Sequence, residues 1–402
     1  MFNKHLFFRL GLLNLAIVAL LGLALRLKIL LELPFVDYRN LLSAHSHFAF
    51  SGWVGFMLMT VFTFDLLSGD PTKQQQKPAW LLLAVNISAL GMAATFPFQG
   101  YGPLSLFFSS AYILLNFVFA RVFIRRLPRS AERPTRLLST WSVGALLFSA
   151  FGPAGLSYIL SGRSHNANLY RDAIYWFLHF QYNGFFTLGI FAHLFSRTFP
   201  APVPGDARRF AGLLCASLLP ALFLALLWHN EPLFYAAGAL GTLLLLGALC
   251  FFVKLAAQGM LLKGMRTRLG RRLLRLSFLS FGLKLLLQCG TLIPSLGNAV
   301  YGDRPVIIGF LHLVFLGFVS FYLLALLAEE GYFTPERRMP AYPVYVFAAG
   351  VFANEILLML QGLSVLLGAN SNYFNWALLG ASFLLFAGAA LLAGFAWRWR
   401  AK

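Results

Sequence analysis

Residues 44–53 read Ala-His-Ser-His-Phe-Ala-Phe-Ser-Gly-Trp, and the second histidine starts a pattern: an aromatic ring three residues on, glycine at five, and another aromatic at six. The pattern recurs as His179-Phe-Gln-Tyr182-Asn-Gly184-Phe185 and as His312-Leu-Val-Phe315-Leu-Gly317-Phe318. The spacings, 132 and 133 residues, are close to one third of the 402-residue chain. Self-similarity at a fixed period marks repeated structural units, here near 1–134, 135–268 and 269–402.

The material around these segments is too apolar for a soluble protein. The chain is 59% hydrophobic and 11% charged with a mean hydropathy of +0.74, whereas soluble domains carry roughly a quarter charged residues. A membrane-spanning helix needs about 20 mostly apolar residues. Twelve such runs are expected, near 7–31, 42–68, 79–97, 104–124, 137–161, 171–197, 208–229, 232–256, 273–296, 304–328, 342–367 and 373–397. The first follows Lys4 and Arg9 and has no small-residue cleavage site before Arg26, so it reads as a retained helix. The fold class is therefore an all-α polytopic membrane protein with twelve transmembrane helices, three units of four, in one transmembrane domain. Cys215, Cys250 and Cys289 stand far apart in apolar runs with no CxxC, which reads as packing.

A formal charge of +19 on a soluble chain would suggest nucleic acid, but the position of the charges decides against that. With the N-terminus inside, 25 basic residues fall in the cytoplasmic segments. Only Arg26, Lys28, Arg39, Arg163, Arg171 and Arg304 lie on the other side, and Lys284 is within a span. Basic residues accumulate in cytoplasmic loops, so the expected topology is N-in and C-in. The cluster Arg266, Arg268, Arg271, Arg272 and Arg275 faces anionic headgroups, and no nucleic-acid partner is implied.

In that topology the second, sixth and tenth spans all begin on the outer side and put His47, His179 and His312 at one depth, about two turns down. His229 ends the seventh span near the same face, and His45 points to roughly the opposite side of the helix from His47. His193 lies roughly 21 Å deeper at the helical rise, while His5 and His165 lie in the N-terminus and an outer loop. Ionisable groups in a bilayer are costly and usually functional, and neutral imidazole is a metal ligand. A lone membrane histidine is ordinarily a hydrogen-bonded helix contact. A repeated set can instead clamp a haem iron from two faces, with Gly52 and Gly317 leaving room for the flat macrocycle.

These residues resemble subunit I of the haem-copper oxidase superfamily, which includes the nitric oxide reductases: twelve helices, three-fold pseudo-symmetric, with ligands on the second helix of each unit. The resemblance covers the whole chain in topology and four short motifs in sequence. It implies a low-spin haem b held by His47 or His45 and by His312. Phe310 stands where that family has the histidine of a high-spin haem. In the nitric oxide reductases the sixth helix reads His-x-x-x-Glu-Gly; here it is His179 followed by Asn183-Gly184. The His-His pair of the seventh helix corresponds to His229-Asn230. A second metal such as copper would then rest on His179 and His229, completed by His45 or a water. The NnrS membrane protein family, associated with nitric oxide stress, is similar in its His-x-His with Gly at five and its single His with Gly at five in the tenth span. The resemblance also implies a bacterial inner membrane, a cytochrome or quinol electron donor and small accessory subunits beside the lipid bilayer.

Other polar residues fall inside the runs. Lys284 and Gln288 lie one turn apart in the ninth span, and Asn354-Glu355 in the eleventh, where Glu355 is a possible partner for Lys284. Asp65 reads as interfacial, and Arg39 and Arg304 with Asp303 are placed for haem propionates. Three classes compete: an oxidoreductase of the terminal oxidase or nitric oxide reductase type, a haem- or copper-handling protein without turnover, and a secondary transporter, which Lys284 and Glu355 favour.

Overall fold

The computed structural model describes residues 3–67, 78–128, 131–159, 162, 164, 166–199, 202–297, 303–333, 340–367 and 371–398. His165 and the basic residues Lys73, Lys77, Arg129, Arg163, Arg337, Arg338, Arg400 and Lys402 lie outside them. The helices run α1 Lys4–Leu30, α2 Tyr38–Leu66, α3 Ala79–Gln99, α4 Pro103–Arg126, α5 Arg133–Tyr158, α6 167–198, α7 Gly205–Ser217, α8 Pro232–Ala257, α9 Arg268–Gly290, α10 Arg304–Glu329, α11 Tyr342–Leu366 and α12 Tyr373–Arg398. No strand occurs among the described residues.

Local chemistry places the ends. Side chains of Asn3, Asp37, Asn166 and Thr267 cap the first turns of α1, α2, α6 and α9. Proline opens α4, α8, α10 and α11, where its missing N–H has no helical partner to lose.

Ten of these helices are long and apolar enough to cross a membrane: all but α6 and α7. The chain is thus a multi-pass membrane protein. The two exceptions differ from the uniform spans expected at 171–197 and 208–229. Helix α6 is continuous but carries His179, Gln181, Asn183 and His193, all buried; lipid never meets them, so the helix need not be apolar. The run after α7 is broken. Pro220 opens a 3-10 turn through Ala225, a second spans Leu227–His229, and Asn230 at φ 57° reverses the chain into α8.

Packing separates the second helix of each unit from the rest. The most apolar windows of α2 and α10 are 78% and 72% buried, against 22–50% in the other eight spans. Every residue of α6 from His179 to Phe195 is buried. These three helices form the centre and run parallel. Phe50 of α2 meets Phe315 of α10 at 4.6 Å and Phe186 of α6 at 5.8 Å, and Phe186 meets Phe315 at 5.5 Å.

Each central helix is π-helical where the repeated pattern lies, over Ala49–Gly55, His179–Phe186 and Leu313–Ser320. A π segment shifts the hydrogen-bond ladder by one residue and leaves carbonyls unpaired, which is why such segments are rare and often functional. The first helix of each unit supplies the missing donor. Asn14 Nδ2 of α1 donates to the Gly52 carbonyl at 2.6 Å, Ser142 Oγ of α5 to Phe185 at 2.8 Å, and Ser277 Oγ of α9 to Phe318 at 2.7 Å. The last two acceptors both lie six residues after their histidine. We expect Ser277→Ala to lower the unfolding midpoint in detergent by an amount worth about 1–2 kcal/mol, since it strands a buried carbonyl; an unchanged midpoint would mean the carbonyl is satisfied elsewhere.

Two of the repeated glycines, Gly184 and Gly317, serve the same helix pairs, so at Gly317 the space expected for a macrocycle is taken by the neighbouring helix. A Cβ on Gly184 would overlap Ala145 of α5, and one on Gly317 would come within 2.7 Å of Ser280 Oγ on α9. At Gly52 the obstacle is the ring of Phe48 in its own helix. Glycine is needed at Gly184 and Gly317 because a side chain of the neighbouring helix fills the space a Cβ would take. The cysteine expectation is met only in part: Cys215 is buried, whereas Cys250 is exposed on the outer surface of α8.

Candidate functional site

At the end of the bundle where α2 and α10 begin, the histidines are at a common level but serve different neighbours. His47 hydrogen-bonds through Nδ1 to the Ser43 carbonyl one turn back at 2.8 Å, stacks on Phe96 at 4.5 Å, and takes the edge of Tyr101 at 5.8 Å. It therefore faces α3.

His45 faces α1. Its Nδ1 lies 3.1 Å from the Val18 carbonyl, and Cε1 would be 3.1 Å from a Cβ on Gly22, so the ring lies against that glycine. His312 is close enough to His45 and to Arg26 that both act electrostatically on its ring. Its Nδ1 is buried and makes no hydrogen bond of good geometry; the Ile308 carbonyl one turn back only bears on it. Of the two histidines that the sequence leaves open as the partner of His312, His45 is the one whose charge acts on it. Helix periodicity explains the choice: residues two apart point to roughly opposite sides, and α1 and α10 lie on only one of them.

The cation beside this pair is Arg26, in the last turns of α1. Arg39 and Arg304, singled out from sequence, are exposed. Arg26 was legible only as a charge marking one side of the membrane; its proximity to the histidines comes from α1 packing on α2.

His179 and His229 are held elsewhere. His179 Nε2 donates to the Leu218 carbonyl at 2.7 Å, and its Nδ1 is 3.0 Å from Asn183 Nδ2, so both ring nitrogens are occupied. His229 pairs through Nε2 with Asp172 at 2.9 Å. Among the described residues no group of three or more His, Cys, Asp or Glu side chains is arranged to hold a metal ion. A copper site built from His179, His229 and His45 does not fit these contacts.

Two polar clusters went unrecognised in the sequence. In the first, Lys284 Nζ, buried in α9, hydrogen-bonds to Asn183 Oδ1 and lies 5.7 Å over the Tyr182 ring. Glu355 bonds instead to its neighbour Asn354 at 3.2 Å, so the expected Lys284–Glu355 pairing does not form. An amide replaces the carboxylate as the lysine's partner. The second cluster joins the opposite ends of the central helices. His193 of α6, with no exposure, bridges Tyr322 of α10 at 2.6 Å and Asp65 of α2 at 2.9 Å. Lys4 of α1 reaches Asp65 at 2.7 Å and Glu330 at 2.8 Å. Asp65 is therefore a structural hub and not merely interfacial. A signal existed: Asp65 and His193 both lie near the ends of parallel spans.

Compared with known proteins, no family model matches the chain and no curated protein matches it.

Proposed function

We propose that this is an integral membrane haem protein of the haem-copper oxidase subunit I type, crossing a bacterial inner membrane twelve times with both termini in the cytoplasm. A low-spin haem b is held between His45 and His312, and its role is electron transfer. The observation that carries the reading is His312: a half-buried imidazole whose buried Nδ1 makes no hydrogen bond of good geometry, within electrostatic reach of a second imidazole and an arginine.

The donor set suits the group. Ligating histidines usually give their other ring nitrogen to a carbonyl, which fixes the ring and its tautomer. The Val18 carbonyl does this for His45 and leaves Nε2 for the iron. Arg26 would meet the carboxylates at the edge of the macrocycle. Bound this way, the group supplies one-electron chemistry, and two imidazoles leave no open iron position for a gas. The protein's own part is to orient both rings, exclude water and neutralise the carboxylates. With Phe310 edge-on to Tyr182 at 5.7 Å and His179 bonded at both nitrogens, the described residues offer no second iron ligand at that position and no group arranged as a copper site. Electron transfer or haem handling is favoured over gas reduction.

Reduced-minus-oxidised spectra of the purified protein should show a six-coordinate b-type haem. His312→Ala and His45→Ala should each remove it or convert it to a five-coordinate form, whereas His47→Ala should leave it. Absence of haem in the wild type, or loss on His47→Ala alone, would defeat the assignment. A transporter reading draws on the break after α7 beside buried Lys284; it predicts substrate-dependent uptake in vesicles with no haem spectrum.

A further inference from the structure

A cavity of about 690 Å³ lies between α6, the 221–225 turn, α9, α10 and α11. None of His45, His312 and Arg26 is among its walls, so what it binds does not rest on the haem assignment. Its size falls within the roughly 300–1,000 Å³ of small-molecule sites. The mouth opens sideways: Leu283 and Leu286 of α9 and Ile356 and Met359 of α11 line the cavity and are also exposed on the surface of the bundle. Both helices are apolar spans, so the opening faces hydrocarbon and a ligand enters from the bilayer.

The walls can present only one sign of charge. Among the described residues, Glu355 of α11 is the single carboxyl group that lines the cavity, and no lysine or arginine lines it. His179 of α6, also a wall residue, gives Nε2 to the Leu218 carbonyl and takes an amide N–H of Asn183 on Nδ1, a pattern that only the neutral ring can make. Lys284 is not a wall residue, and its ammonium hydrogen-bonds to Asn183.

Glu355 lies near the middle of α11, Tyr342–Leu366, and so at about the middle of the bilayer. Its hydrogen bond comes from its neighbour Asn354, on one carboxyl oxygen. An ionisable group at that depth is costly unless something pairs with it, and the walls supply no cation to do so. Phe352 and Met359, three residues before and four after, share its face of the helix and line the same cavity. Phe321 of α10, another wall residue, adds a second ring 6.2 Å from that of Phe352. Aromatic rings and a thioether beside a carboxyl group are polarisable surroundings suited to a positive charge.

We propose that this cavity binds a lipophilic organic cation, one whose positive charge is spread over or shielded by apolar groups. Such an ion can enter from hydrocarbon, because the cost of desolvating a charge falls as the ion grows larger. The carboxylate of Glu355 is its counter-charge, the rings of Phe352 and Phe321 give it cation–π contact, and the aliphatic walls take its substituents. A neutral lipid would fill the same volume and leave Glu355 unpaired, and an anion would be repelled by it. A small inorganic cation keeps its water shell and does not reach a mouth that faces hydrocarbon.

The test is equilibrium binding of tritiated tetraphenylphosphonium to the full chain in nanodiscs of phosphatidylcholine, whose headgroup carries no net charge. Wild type should bind it saturably at one site. Glu355→Gln should weaken binding by about tenfold or more and keep its thermal stability, because the amide oxygen still accepts from Asn354. Glu355→Asp, which retains the charge, should lose less. Leu283→Trp, at the lipid-facing mouth, should weaken binding through bulk alone. Uncharged triphenylphosphine oxide should compete far less well than unlabelled tetraphenylphosphonium, a comparison made on the wild-type chain and so independent of how any variant folds. The proposal is overturned if wild type shows no saturable binding, if Glu355→Gln binds as tightly as wild type, or if triphenylphosphine oxide competes as well as the cation, which would make the cavity an apolar crevice for neutral lipid.

Discussion

Gly184→Leu is expected to abolish accumulation of folded protein, with monodisperse material after detergent extraction falling to a small fraction of wild type. Gly184 lies in the stretch of α6 that is buried at every residue, and a single added carbon would already overlap the Cβ of Ala145 on α5. Relief would require α5 and α6 to separate, which would also pull Ser142 from the Phe185 carbonyl. Overpacking of this kind costs about 3 kcal/mol or more, a large part of a typical total stability. Two controls separate the contact from a general intolerance of leucine. Gly282→Leu on α9, where an added carbon meets nothing within 4 Å, should be accepted. Gly184→Ala should be destabilising alone and rescued in part by Ala145→Gly. If Gly184→Leu and Gly282→Leu behave alike, the close approach of α5 and α6 is not a determinant of the fold.

Asp65→Ala should give the other large effect, about 3 kcal/mol of lost stability by steric-trap or thermal unfolding in nanodiscs. It leaves His193, fully buried, with only Tyr322, and removes one of the two carboxylates that hold Lys4. Breaking a buried polar pair by deleting one member is far more damaging than replacing both, because the survivor stays desolvated and unpaired. The double variant Asp65→Leu/His193→Leu should therefore be more stable than the sum of the single effects predicts, by 1 kcal/mol or more. Strict additivity would mean that the two residues act independently and that the hub is incidental.

The character of the chain was readable at once, because a bilayer imposes composition directly: long apolar runs and basic connections need no tertiary information. The histidine-glycine repeat was equally visible, and it marks the three helices that form the centre. What those residues do there was less legible. Gly317 looked like space for a planar ligand, yet it is, like Gly184, a point where two helices touch. A glycine in sequence records only the absence of a side chain, not what occupies the space. His193 and Asp65 are 128 residues apart, and nothing local to either announces a partner that arrives from another repeat.

Ring direction is the other boundary. Spacing alone places His45 and His47 on opposing sides of one helix, but which side holds His312 depends on where α1, α3 and α10 pack. Likewise, Lys284 and Glu355 have complementary charges and similar depth, and a linear reading pairs them. The folded chain gives Lys284 to Asn183 and Glu355 to Asn354. Periodicity and hydropathy settle which residues are buried and at what level, since both follow from helix geometry and solvent. Partnership at that level is settled by the rotation of each helix about its axis, which depends on close packing among many side chains distant in sequence.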